Sequence, residues 1–220
     1  MPTHPMPSGF QEIYVALRTE VTWLHARWKV YSQLFFKSDK RLDLLNECAR
    51  SLFYFVHETL VNDLLLTLCK VSDPAKQGKN DNLSLKRLQD YLDQSGDPVL
   101  AKECNATLQA IDVCATPLRV LRNKQLAHLD LAVALTKGAQ PLQPIAKHQI
   151  DEALELLRTY LNAIERHYND SEWGYQCVGM MGSDGDALVH VLRDGLRYEQ
   201  LVSDEVVSYD DFQQNPWTDA

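Results

Sequence analysis

The chain has 220 residues, 45% of them apolar and 24% charged, an ordinary globular composition that excludes wholesale disorder. Only 9 Gly and 9 Pro argue against a loop-rich all-β protein and for long helices. The net charge of -8 is unevenly placed: residues 184–220 hold nine acids against Arg193 and Arg197, so they account for -7 and the body is nearly neutral. The acidic sum therefore excludes no polyanionic partner.

In chain order, Phe10, Tyr14, Leu17, Val21, Leu24, Trp28, Tyr31 and Phe35 recur at steps of four and three, one stripe of an α-helix. Ser38 is placed to cap a second long helix from about Asp39 to Val71, with a stripe through Leu42, Leu45, Ala49, Leu52, Val56, Leu60 and Leu64. Asp73-Pro74 ends it, and residues 77–82 read as a polar loop. A short helix follows Ser84. Another opens at Asp97-Pro98 and runs through Leu100, Cys104, Leu108 and Ile111, with Pro117 expected to kink or break it. Residues 138–144 are expected to form a loop, and a last long helix to take Ile150, Ala153, Leu157, Ile164 and Tyr168. These elements predict an all-α, antiparallel up-and-down bundle of four long helices and a short one over residues 1–170. Glycines crowd in from Gly174 to Gly185, so residues 171–220 read as a partly ordered acidic extension with one helix near 186–201.

No apolar run of membrane-spanning length is expected, since the best stretch, Leu52 to Cys69, is interrupted by His57, Glu58, Asn62 and Asp63. The start lacks the basic and apolar regions of a secretory signal, so the expected location is the cytoplasm. Five cysteines without a CxxC pair predict no disulfide scaffold. Cys48, Cys69, Cys104 and Cys114 fall within apolar helical patterns as small hydrophobes. No Cys or His pair has zinc-ligand spacing, so neither a metal nor a cofactor is expected.

The segment Val120-Leu121-Arg122-Asn123-Lys124-Gln125-Leu126-Ala127-His128-Leu129-Asp130 carries the chemistry. With its Arg-Asn-Lys opening, its Ala-His-x-Asp ending, and Leu64-Leu65-Leu66, Ser72-Asp73 and Leu83-Ser84-Leu85 upstream, it resembles the HEPN superfamily motif. The branch it is most similar to is the HEPN domain of abortive-infection U-type proteins. The resemblance implies two motif helices meeting across a two-fold axis in a homodimer, and a cleft of Arg and His residues for RNA. Where such proteins are catalytic, they cut RNA without metal, as toxins or in phage defence.

The residue types suit that chemistry. The His128 imidazole can take a 2′-hydroxyl proton or protonate the leaving oxygen near neutral pH. The Arg122 guanidinium can hold two phosphate oxygens and offset charge in the transition state, with Asn123 supporting. On a straight helix Arg122 and His128 point about 120° apart with about 9 Å of rise, so one copy converges them poorly. Either the helix ends near Ala127 or a second copy completes the site. Arg119, Lys124, Lys86 and Arg87 are the candidate RNA-binding cations, because residues 113–128 hold three bases and no acid, and residues 70–87 carry a local +3.

HEPN toxins paired with a nucleotidyltransferase-type antitoxin carry a Tyr two residues after the motif His. Here that position is Asp130, which speaks against that modification and assigns Asp130 to orienting His128. An antitoxin or other defence-system protein remains an expected partner. The rival readings are a non-catalytic dimerisation or interaction module, with Arg122 in an ion pair, and RNA or nucleotide binding without turnover. His57 reads as buried and hydrogen-bonded, and His25 and His167 as helix-face residues. The aromatic series from Trp23 to Phe55 reads as core or dimer interface rather than a base-stacking platform.

Overall fold

The computed structural model describes residues 5–123, 146–177 and 182–208. Within them the fold is all-α: α1 (Ser8–Phe35), α2 (Asp39–Ser72), α3 (Leu85–Gln94), α4 (Pro98–Leu121), α5 (Lys147–Asn169) and α6 (Gly185–Ser203). A two-strand antiparallel hairpin, β1 (Lys76–Gln77) and β2 (Asn80–Asp81), lies in the expected polar loop, and Gly78 at φ 63° supplies its left-handed turn position.

The helix ends follow from local chemistry. Ser38 Oγ accepts from the Arg41 amide at 3.3 Å, and Ser84 Oγ accepts from that of Arg87 at 3.4 Å. Asp97 accepts from the Val99 and Leu100 amides at 3.1 and 3.0 Å, with Pro98 in the first turn of α4. Ala146 has no capping side chain, so its own amide is satisfied by Gln149 Oε1 at 2.9 Å.

The chain divides into two units, Met1–Trp28 with Leu60–Val178, and Lys29–Thr59 with Gly179–Ala220. In the first unit, contacts fix the helix directions. Trp28 Nε1 donates to Asp151 at 2.7 Å while Tyr14 donates to Glu165, so α1 and α5 run antiparallel. His167 meets Asp97 at 3.3 Å while the Cys114 thiol meets the Gln149 carbonyl at 3.6 Å, which makes α4 and α5 antiparallel as well. Lys86 pairs with Asp112 and Gln89 with the Ala101 carbonyl, so α3 also runs against α4. The stripe residues Leu17, Val21 and Leu24 of α1, Cys104, Ile111 and Leu118 of α4, and Ile150, Leu157 and Ile164 of α5 are buried. Each large aliphatic side chain so removed from water contributes about 2 kcal/mol before entropy is subtracted.

The same unit holds a buried carboxylate. Glu165 accepts from the Tyr14 hydroxyl, Asn169 Nδ2 (2.9 Å) and Ser171 Oγ (3.2 Å), with Arg18 at 3.6 Å. Arg18 also covers the Trp173 ring at 4.2 Å, and Trp173 Nε1 donates to Thr22 Oγ1 at 3.1 Å. This clasp fixes the segment after α5 on α1. Trp217 lies outside the described residues.

In the second unit Leu34, Leu45 and Phe53 form a small core with Val30, Phe35, Cys48, Val189 and Leu192 around it. At the start of α6, Asp186 binds Lys37 (2.9 Å) and Arg41 (2.6 Å), and Asp184 binds Lys29 (3.7 Å) and Gln33 (2.8 Å). Gly185 suits that close approach, because a Cβ would stand 3.0 Å from both Gln33 Cβ and the Val30 carbonyl oxygen, tighter than most side-chain contacts.

Three expectations are corrected. Pro117 does not break α4: the helix runs through it to Leu121. Pro117 lacks the N–H for the Val113 carbonyl, and Val113 stands exposed to solvent, where water can serve that carbonyl. The stripe of α2 is not continuous, because Ala49 is extended (φ -164°, ψ 68°) and resets the helical rotation. As a result Phe53 is buried while Leu52 stands 58% exposed. His25 is buried rather than surface-facing, tilted against Tyr175 with ring centroids 5.5 Å apart. Burial, with a smaller contribution from the Arg158 charge, lowers its pKa to about 4. By length and composition α2 qualifies as able to cross a membrane, with mean hydropathy 1.3 over its most apolar window, a criterion that core helices also meet.

Candidate functional site

Arg122 is the C-cap of α4, still in right-handed helical conformation (φ -52°, ψ -50°). Its Nη1 donates to Asp73 Oδ2 at 2.7 Å, and its Nε donates to Asn123 Oδ1 at 3.1 Å. Asp73 is the residue immediately after α2, at the Asp-Pro stop. Helix termination thus delivers a carboxylate to the end of α4.

Arg119, one turn earlier, faces the same carboxylate, with Nε 3.8 Å from Asp73 Oδ1. Its Nη2 donates to the Ser72 carbonyl (2.7 Å), to Ser72 Oγ (3.0 Å) and to Asp112 Oδ1 (2.8 Å). Asp112 in turn accepts from Lys86 Nζ at 2.8 Å. Burial raises the Asp112 carboxyl, but the hydrogen bonds and charges of Lys86 and Arg119 outweigh it and hold it below the usual carboxylate range. Arg87 pairs with Asp81 on β2 and reaches the Ala75 carbonyl at 3.4 Å.

The structure therefore brings Arg122, Asn123, Arg119 and Lys86 into one network, with Arg87 in a separate pair. His128, Lys124 and Asp130 lie outside the described residues. Sequence reading missed the role of two acids. The base-only window of 113–128 begins one residue after Asp112, and Asp73 was read as a helix stop. Only Asp112 left a signal, its spacing: it lies seven residues before Arg119, two turns along one helix face, whereas Asp73 meets its arginines from another helix end.

Three cations here meet two carboxylates, so the cluster keeps a net positive charge, but a smaller one than linear counting gives. Cys69 is buried beside it, and burial pushes its thiol up despite the opposing charge of Arg122. It serves packing rather than nucleophilic chemistry.

With helix order, termini and the Ser72-Asp73/Arg119/Arg122 network in place, comparison with known proteins is decisive at family level. The model of the family HEPN_AbiU2, described as AbiU2, matches residues 7–188. The chain belongs to the AbiU2 family of HEPN proteins. At the level of that family it is an abortive-infection, defence-related protein of the RNA-acting kind. No curated protein and no solved structure matches the chain.

Other side chains singled out in the sequence fall elsewhere in this AbiU2 fold. Trp28, Tyr31 and Phe53 are buried, whereas Trp23, Phe36, Tyr54 and Phe55 are exposed, so only part of the aromatic series is core. His57 is half-exposed rather than buried. It is hydrogen-bonded to the Tyr31 hydroxyl at 2.9 Å and stacked on that ring. Together with Phe35, Phe36 and Tyr54 it lines an apolar cavity of about 490 Å³ in the second unit.

Proposed function

We propose that this AbiU2-family protein is a metal-independent endoribonuclease of phage defence or a toxin-antitoxin-like stress system. It works as a homodimer with the motif helices at or near the interface. The observation that carries the reading is the tethering of Arg122. Asp73 and Asn123 occupy its Nη1 and Nε, and no carboxylate meets its Nη2 among the described residues. A guanidinium held at Nη1 and Nε is oriented in advance, and the N–H groups of Nη2 remain to receive a phosphate oxygen.

In the proposed mechanism Arg122 holds the scissile phosphate and offsets the charge that builds on it. His128 takes the 2′-hydroxyl proton or protonates the leaving oxygen, and Asp130 orients the imidazole. Lys124, with the N–H groups that Arg119, Lys86 and Arg87 do not spend on carboxylates, meets flanking phosphates. The cell compartment is the cytoplasm, and an antitoxin or other defence-system protein restrains the enzyme.

The test is cleavage of RNA by His128→Ala, with the dimer checked by sizing. A fall of at least about 100-fold with the dimer intact is the expected result. Undiminished cleavage removes the catalytic assignment.

One observation favours a second reading, a non-catalytic module: Arg119, Arg122, Lys86 and Arg87 are all ion-paired with acids of their own chain. It predicts intact RNA in every assay and lost stability or dimer in Arg122→Ala.

A further inference from the structure

Asp73 has two sides. One holds Arg122; the other lines a cavity of about 590 Å³ in the first unit, walled by α1, α2 and the β1–β2 hairpin. Its size is that of a small-molecule site. Its lining is polar, including Glu20, Lys70, Thr67 and Asn82, with Val71 and Leu83 as the apolar patches.

The ion pairs sort these groups. Asp63 is neutralised by Arg27 at 2.9 Å, Asp73 by Arg122 and Arg119, and Asp81 by Arg87 and Lys76. Asn82 spends its Nδ2 on the Pro74 carbonyl at 2.8 Å, which leaves its carbonyl oxygen as an acceptor. Glu20 and Lys70 have no ion-pair partner among the described residues, so one carboxylate and one ammonium remain for a ligand. The lining as a whole carries four acids against Arg27 and Lys70, which disfavours a phosphate inside the cavity. A neutral ring with donors beside an acceptor fits, and a strand whose phosphate is held by Arg122 delivers such a ring next door.

We infer that this cavity is a base-reading subsite that takes an unstacked guanine of the RNA strand beside the phosphate held by Arg122. The inference rests on the proposed RNA reading. Guanine alone of the four bases presents two adjacent N–H donors, N1–H and N2–H, next to a carbonyl oxygen. The Glu20 carboxylate accepts both donors, and the Lys70 ammonium donates to O6. Uracil and cytosine lack the paired donors, and adenine lacks the carbonyl. Sequence-specific recognition of single-stranded RNA works through such splayed bases read on their Watson–Crick edges.

The experiment uses the full-length protein and short single-stranded RNAs carrying one guanosine, inosine, adenosine or uridine in an otherwise constant sequence. Cleavage rate and anisotropy-based affinity are both read. The expected result is a preference for guanosine, with inosine, which lacks the 2-amino group, down about tenfold. Glu20→Gln should erase the guanosine-over-inosine difference, and Lys70→Ala should lower guanosine more than uridine. Both residues are exposed, and an unchanged melting temperature verifies the fold. If the wild type acts on all four RNAs equally, or Glu20→Gln leaves the preference intact, the subsite is overturned while the ribonuclease reading stands. If the wild type neither binds nor cuts any of them, both fall.

Discussion

Asp73 and Asp186 are built alike and placed differently. Each carboxylate lies at a helix end and meets two cations from elsewhere in its unit: Arg119 and Arg122 for Asp73, Lys37 and Arg41 for Asp186. The Asp73 side chain is 18% exposed and its cluster continues through Ser72, Asp112 and Lys86, whereas Asp186 is 39% exposed. The difference teaches what such pairs do. A half-enclosed network fixes the orientation of a guanidinium, while an open one mainly cancels charge. In the acidic extension, Asp184 and Asp186 find their partners in Lys29, Gln33, Lys37 and Arg41.

Four measurements break or sharpen that contrast. The largest effect belongs to the most enclosed carboxylate: Glu165→Ala strands Tyr14 and Arg18 and should cost about 3 kcal/mol in urea unfolding. A loss below about 1 kcal/mol would mean that enclosure does not set the scale.

Next comes His25, whose pKa falls from 6.5 to about 4 in the folded chain because burial, then Arg158, disfavour its charged form. A neutral folded histidine stabilises fully above pH 6.5, and that contribution is lost as pH falls from 6.5 toward 4. The total is about 3 kcal/mol. The pH dependence of stability between 7 and 4 should be shallower in His25→Phe than in the wild type by roughly that amount. Parallel curves would show that His25 titrates normally.

Asp73→Ala should cost about 2 kcal/mol, since it leaves two guanidiniums without their shared acceptor. It should also lower RNA cleavage more than the stability loss accounts for, because Arg122 loses its tether. The smallest effect is that of Asp186→Ala, below about 1 kcal/mol and reduced further in high salt. A salt-insensitive cost equal to that of Asp73→Ala would erase the distinction between the two clusters.

Much of this was legible in the residues. Ser38, Ser84 and Asp97-Pro98 announced their helices through capping chemistry that acts within three or four positions. The four-three spacing from Phe10 to Tyr31 marked a face that is buried throughout. Periodicity failed at Ala49, where one extended residue turned Leu52 outward, and the proline rule failed at Pro117, where the helix continued on an exposed face. Both outcomes depend on groups that a wheel diagram does not contain. His25 misled for a related reason: what buries it is Tyr175, 150 positions away.

The sequence by itself determined the helices, their caps, the family and the residues Arg122, Asn123 and His128 as candidates, because each of these is written in local spacing. Tertiary structure alone decided which charges remain available. Asp73 reaches Arg122 across 49 positions and Asp112 reaches Lys86 across 26, so cations that look free in a linear count are neutralised in space. Coulomb energy falls with distance through space and takes no account of distance along the chain. For that reason the orientation of Arg122, and the cavity that shares its carboxylate, became visible only once the helices were packed.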